Sequence, residues 1–353
     1  MGSIRYFKSL LITASLVYTN LTSAFGINVS AITESKTDST AEKILIAQRI
    51  SGGWPKQIDA KAFTYSYAWS DAFSDRVKAG FKHPDATIDN NATTREIRHL
   101  TKAYSETGNP KYLNAAETGI RYLLKMQYKN GGFPQFFPDT TGYRKHITYN
   151  DDAMLNALRI LQEVSTGRDD FKVFDAELRT QAFKAVEAGI ACILKTQIRV
   201  SGKPTVWCAQ HDHVTYQPAN ARAFELASFS AGESVDITRF LMDIPDPTTE
   251  IREAVLGALT WLDAAAISGY GVKRVKDAKQ PKGQDVILVE ARGNRIWARF
   301  YDLETGKPFF CGRDGIKREK LSEIENERRV GYAYYGTWPA QLLSRKYEGW
   351  QPK

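Results

Sequence analysis

A degenerate repeat constrains this chain more than any other feature. The stretch "SGGWPK" (51–56) returns 79 residues later as "NGGFPQ" (130–135), Gly52 matching Gly131. Each copy follows a helical segment ending in Gln, "IAQRI" and "LKMQYKN". "LKTQI" (194–198) followed by "TVWCAQHD" (205–212) reads as a decayed third copy, and "YGTWP" (335–339) as a further fragment. A unit recurring about every 80 residues must bury its apolar face against its neighbours. Between the repeated loops, apolar residues recur at helical spacing over 89–106, 111–127, 151–164, 171–197, 224–242 and 248–267. Thr107-Gly108-Asn109-Pro110 is a helix stop. The expected fold is therefore mainly α: a partial (α/α) toroid of helix pairs, with long loops gathered at one mouth, where a cleft forms. After residue 270, "DVILVEAR" and "RIWARFYDL" alternate like strands and "ETGKP" reads as a turn, so a small β element is expected near the C-terminus.

The first residues carry Arg5 and Lys8, then an apolar run from Leu10 to Tyr18, then small residues ending at Ala24. This is the pattern of a secretory signal over 1–24, too short for a membrane anchor. A flexible leader is expected over 25–40 and a single catalytic domain over 41–353. The expected destination is extracellular or periplasmic, and the expected state a monomer. Oxidising surroundings permit disulfides, but three cysteines leave at least one thiol free. Cys208 and Cys311 are the candidate pair, and three buried thiols the alternative.

The net charge of +8 favours an anionic partner. The basic residues are dispersed, which points away from nucleic acid and toward a polyanion held in a cleft. No interior run is long and apolar enough to span a membrane. Aromatics at 12% suit carbohydrate faces and large cores alike.

Two oxygen-rich pairs stand at expected helix starts: Asp89/Asn90 in "IDNNATTREI", and Asp151/Asp152 after Asn150 in "HITYNDDAM". Each is by itself an ordinary capping sequence. Gathered at one mouth, they become an oxygen set of the kind Ca²⁺ takes. "CAQHDHVTYQP" places His211 and His213 around Asp212; without a third strong ligand nearby in sequence, a satisfied polar loop is favoured over zinc. Arg222 precedes an expected helix, and Arg299 and Arg313 lie in an aromatic stretch where Asp302 and Asp314 offer ion-pair partners. The alternative for these arginines is a set of guanidinium forks that grip carboxylates.

Taken in order, "GGWPK", "IDNNATTREI", "GGFPQFFPD", "HITYNDDAM", "ARAFELASFSAGES", "WARFYDLETGKPFFCGRDG" and "ERRVGYAYYGTWP" resemble the family 10 polysaccharide lyases, which are pectate lyases, over residues 45–350. The resemblance implies β-elimination of α-1,4-polygalacturonate with calcium and an arginine base. Carried onto this sequence, it implies Asp89, Asn90, Asp151 and Asp152 as the calcium region, Arg222 as the base, and Arg299 and Arg313 as carboxylate binders, with Lys145 and Asn150 expected at the substrate. An arginine base further implies an alkaline optimum, because its ordinary pKa lies above about 12. Two other functions compete: an inverting glycoside hydrolase using two carboxylates such as Asp89 and Asp151, and a non-catalytic binder of acidic glycans.

Overall fold

The computed structural model describes residues 36–345 and 350. Contacts divide the chain into Met1–Lys36 and Thr37–Lys353, and the second unit carries everything below. The signal at 1–24 and most of the leader lie outside the described residues. The leader's expected end at residue 40 overlaps helix α1 (Ser39–Ala47), whose first amides are capped by Asp38 Oδ1 at 2.8 Å from both Thr40 N and Ala41 N.

Helices α2 (Asp71–Ala79), α3 (Thr94–Thr107), α4 (Pro110–Met126), α5 (Ala153–Thr166), α6 (Ala176–Thr196), α7 (Ala231–Met242) and α8 (Thr249–Ala264) follow, then the short α9 (Asn326–Gly331) and α10 (Trp338–Arg345). The pairs α3–α4, α5–α6 and α7–α8 are the principal helix contacts. Successive first members touch as α1–α3–α5–α7–α10, and second members as α4–α6–α8, giving an inner and an outer layer. Inner helix α5 buries Met154, Leu155, Leu158, Ile160 and Leu161 completely.

Repetition in the sequence becomes repetition of hydrogen bonds. Gln48 Nε2 donates to Gly52 O at 2.8 Å and to Ala115 O on α4 at 3.0 Å. Gln127 does the same to Gly131 O and Ala185 O on α6, and Gln197 to Thr205 O and Ala254 O on α8. One amide thus ties each repeat loop to the outer helix of the next unit. Gly52 and Gly131 both hold positive φ (+99° and +88°), and a Cβ on Gly131 would come within 1.9 Å of Ala188 O, so only glycine fits there. The indoles of Trp54 and Trp207 donate to Ile44 O and Ile193 O, both at 2.8 Å. The fourth equivalent is Trp297, donating to Leu262 O at 2.6 Å, rather than the expected "YGTWP" fragment.

Helix ends depart from the periodic pattern where other bonds compete. The stretch 89–106 becomes helical only at Thr94, because Asn90, Asn91 and Thr93 hold positive φ. The stretch 171–197 enters its α-helix at Ala176 behind the Asp175 cap, and 248–267 leaves it at Ala264. The stretch 224–242 starts only at Ala231: Ser230 N is taken by Trp207 O at 2.8 Å, and Phe224 packs in a separate aromatic cluster with Phe300, Phe309, Phe310 and Tyr334. The β element is a long antiparallel hairpin of β1 (Ile267–Lys276) and β2 (Gln284–Ala298); the first expected strand lies wholly in β2, and the second only as far as Ala298, with Phe300–Tyr301 pairing separately with Phe229–Ser230. The inner end of β2, Ile296–Ala298, is buried and delivers Arg299 to the mouth. All three cysteines are free and buried, so Cys208 and Cys311 are not paired. Among the described residues, no helix is long and apolar enough to cross a membrane.

Candidate active site

The helix starts at the mouth differ from those elsewhere. Helices α4, α6 and α8 are capped by side chains of Asn109, Asp175 and Thr248. Helices α3, α5 and α7 have no side-chain cap bond. Asp89, Asn90, Asp151 and Asp152 therefore do not cap, although their residue types are those of caps. They sit in two matching turns, Asp89–Asn91 and Asn150–Asp152, which contact each other. Asn90 (φ 50°) and Asn91 (φ 61°) correspond to Asp151 (φ 53°) and Asp152 (φ 56°). Asn and Asp tolerate this left-handed region better than other non-glycine residues. Backbone bonds from the next unit's loop pin each turn: Ile88 N donates to Gln135 O at 3.3 Å, Tyr149 N to Ala209 O at 2.9 Å, and Ala231 N to Arg299 O at 3.1 Å.

The two turns open on a small cleft of about 70 Å³ lined by Lys56, Asp89, Asn90, Gln135, Tyr143, Asn150, Asp151, Gln210, Arg222 and Glu225. Asp89 is buried and its Oδ2 pairs with Lys56 Nζ. Its Oδ1, with Oε1 of Gln135 and of Gln210, is buried without any hydrogen-bond partner among the described residues. Burial raises the Asp151 pKa and the neighbouring Asp89 charge adds to this; Arg299 acts in the other direction. Asn150 Nδ2 donates to Asp151 Oδ2 at 2.8 Å. Asp152 is not among the cleft-lining residues; burial raises it to about 6, with Asp236 the next contributor.

Three arginines, Arg222, Arg299 and Arg313, lie over aromatic rings, and of these Arg222 lines the cleft. Arg222 is bidentate to Glu225, with Nε to Oε2 at 2.7 Å and Nη2 to Oε1, leaving Nη1 without a bond among the described residues. Its guanidinium lies 4.8 Å over Phe224 and 5.9 Å over Tyr332. The hydrogen bond to Glu225 raises the Arg222 pKa above its ordinary value, against the opposing effect of burial. Arg299 pairs with Glu233 and lies 4.8 Å over Tyr332. Burial disfavours its charge, but Glu233 and the nearby tyrosine and aspartate more than offset this and hold it protonated. Arg313 is exposed and bidentate to Glu327 at 3.1 Å, 5.9 Å over Phe224. The expected partners Asp302 and Asp314 instead pair with Lys317 and Arg318. Lys145 is exposed and does not line the cleft; Tyr143, two residues earlier, does. His211 is the satisfied loop histidine expected: buried, held between Cys208 N at 3.0 Å and Tyr216 O at 2.8 Å, and pushed by burial to about 4.

Of the residues in the cleft, sequence reasoning missed Lys56, Gln135, Gln210, Glu225 and Tyr143. The repeat holds the signal for two of them. Lys56, Gln135 and Arg299 each stand two residues after the aromatic of their loop, Trp54, Phe133 and Trp297, and two of the three line the cleft.

The family profile described as pectic acid lyase matches residues 48–343. The chain therefore belongs to the pectic acid lyase family, polysaccharide lyase family 10. It is similar to the family 10 polysaccharide lyase from Cellvibrio cellulosa, with 35% identity and a TM-score of 0.78 over 89% of this chain and 92% of that one. It is equally similar, at 35% identity, TM-score 0.77, 88% of this chain and 92% of that one, to an aspartate-to-alanine mutant of family 10 polysaccharide lyase from the same organism in complex with trigalacturonic acid. A search of curated proteins finds no match. The enzyme is thus a pectate lyase, acting on polygalacturonate.

Proposed function

We propose that this lyase is calcium-dependent and that Arg222 is its base. The observation that carries the reading is the cleft's donor set: Asp89 and Asp151 face amide oxygens of Gln135 and Gln210, and three of these buried oxygens have no partner. Buried polar atoms are ordinarily satisfied, and an all-oxygen set with two carboxylates fits Ca²⁺ rather than a soft metal. Asp89 and Asp151, with the side-chain oxygens of Gln135 and Gln210, would hold the ion, with Asn90 and Asn150 beside them and Asp152 behind. When bound, calcium supplies positive charge beside the uronate carboxylate as the α-proton leaves.

The chain's own residues do the rest. Arg299, braced by Glu233 and Tyr332, presents a charged fork to a uronate carboxylate and gains most as charge develops there. Arg313, at the rim, offers a second fork once it exchanges Glu327 for substrate. Glu225 holds Nε and Nη2 of Arg222, so Nη1 is the nitrogen left for the C5 proton. Proton transfer from C5 to neutral Arg222 leaves an electron pair that forms the C4=C5 bond as the C4–O bond breaks, and the leaving oxygen takes a proton from water. Glu225 makes that neutral form scarce, which again implies an alkaline optimum.

The same ion pair favours a second reading, in which Arg222 stays charged and grips a carboxylate. Arg222→Ala, assayed on polygalacturonate by the ultraviolet absorbance of the unsaturated product, separates the two. A base predicts a kcat loss of about 100-fold or more with trigalacturonate still bound. A clamp predicts a large rise in KM with substantial turnover at saturation.

A further inference from the structure

Among the described residues, one cluster of strong ligands outside the cleft has no use in the reaction. His146 ends the 3₁₀ turn Gly142–Lys145, and Asp212 and His213 open the loop that leads to Arg222. One ligand atom from each of His146, Asp212 and His213 lies within 4.8 Å of the other two. Asp212 Oδ2 is 4.0 Å from His146 Nδ1 and 3.9 Å from His213 Nδ1. Nδ1 of both histidines is buried and has no hydrogen-bond partner among the described residues. The weighing of zinc against a satisfied loop thus divides between the two histidines of "QHDH": His211 is satisfied, while His213 meets a third ligand, His146, from 67 residues upstream in sequence.

We propose that His146, Asp212 and His213 form a second metal site, distinct from the oxygen-rich cleft, that takes a divalent transition ion of the zinc class. Two imidazoles and one carboxylate suit zinc, nickel or copper and are poor for calcium. The set leaves a fourth position for water or a further ligand. Zinc bonds of about 2.0–2.1 Å need donor atoms roughly 3.4 Å apart, so the three side chains must close by about an ångström or less on average.

The surroundings aim these atoms at one point. Asp212 Oδ1 is consumed by Val214 N at 3.0 Å, Thr215 N at 2.8 Å and the Thr215 hydroxyl at 3.1 Å, which leaves Oδ2 for the imidazoles. The backbone of His213 is anchored by Asn130 Nδ2 at 2.7 Å, and its ring packs 5.3 Å from Tyr128. His146 N donates to Tyr143 O at 3.0 Å. The ion would clip the loop bearing Tyr143, which lines the cleft, to the loop that carries Arg222.

The test uses tag-free full-length enzyme, stripped with chelator and titrated with zinc in excess calcium, followed by calorimetry. One zinc per chain is expected. His146→Gln and His213→Gln should each weaken it at least about tenfold, whereas Asp151→Ala should not. Circular dichroism confirms that the variants are folded. Cobalt(II) gives a second readout, an intense visible band of low-coordinate geometry that the double variant lacks. Absence of stoichiometric zinc, equal affinity in the double variant, or loss of zinc in Asp151→Ala would each overturn the proposal.

Discussion

The turns Asp89–Asn91 and Asn150–Asp152 share backbone shape, position before an inner helix, and anchoring by the next unit's loop. They differ in charge. The first carries its carboxylate at the leading position, where Lys56 neutralises it. The second carries two carboxylates at the following positions, where Asn150 and burial surround Asp151 and, among the described residues, no lysine pairs with it. A repeat scaffold supplies matched geometry, and swapping Asp for Asn within it sets which carboxylate is held in an ion pair and which is not. A cation entering the cleft displaces Lys56 from Asp89 but meets no such competitor at Asp151.

That asymmetry orders the expected effects. Asp151→Asn should cost about 100-fold or more in activity on polygalacturonate, with calcium affinity falling in parallel. Asp89→Asn should cost about tenfold, a scale comparable with loss of a supporting group at a metal site. Equal losses would show that Lys56 does not distinguish the turns. Lys56→Met sharpens the same point: calcium should bind severalfold tighter by calorimetry, because the competing ammonium is gone, and unchanged affinity would place Lys56 outside the competition.

Protonation gives a smaller effect. The folded pKa of Asp152, about 6, exceeds its unfolded value of 3.8. Between these values the folded state binds the extra proton, so this group favours folding as pH falls through 6 and opposes it above. The calcium-free enzyme should therefore gain a few degrees in Tm between pH 7 and 5 from this group, and Asp152→Asn should flatten that slope. A slope unchanged in the variant would assign it elsewhere.

The smallest test concerns the scaffold. Gln197→Ala leaves Thr205 O and Ala254 O without their shared donor in a buried site, costing about 1–3 kcal/mol. Gln48→Ala, whose bonds are only part-buried, should cost less. Chemical denaturation of the two variants checks the order.

The layered helices were legible because 3.6-residue periodicity survives in α3 to α8, and the Gln and Gly positions of the repeat carry fixed hydrogen-bonding and conformational tasks. Helix starts at the mouth were not, since Asp and Asn serve both as caps and as left-handed turn residues. Asp89 and Asp151 could be picked out as a pair, but whether they cap was decided only by the absence of cap bonds at Thr93 and Asp152. Glu225 and Gln210 were hidden because long loops bring them to the cleft, and no local spacing records such contacts. The ion pairs of Arg299 and Arg313 were misassigned for a related reason: Glu233 is 66 residues from Arg299, while Asp302, only three away, is held by Lys317.

The measurement closest to the central claim is product absorbance from polygalacturonate with chelator-stripped enzyme, as calcium is returned. The account predicts no unsaturated product without calcium, full recovery in wild type, and no recovery in folded Asp151→Asn at the same calcium. A full rate in excess chelator, or full calcium-dependent recovery in Asp151→Asn, would contradict it.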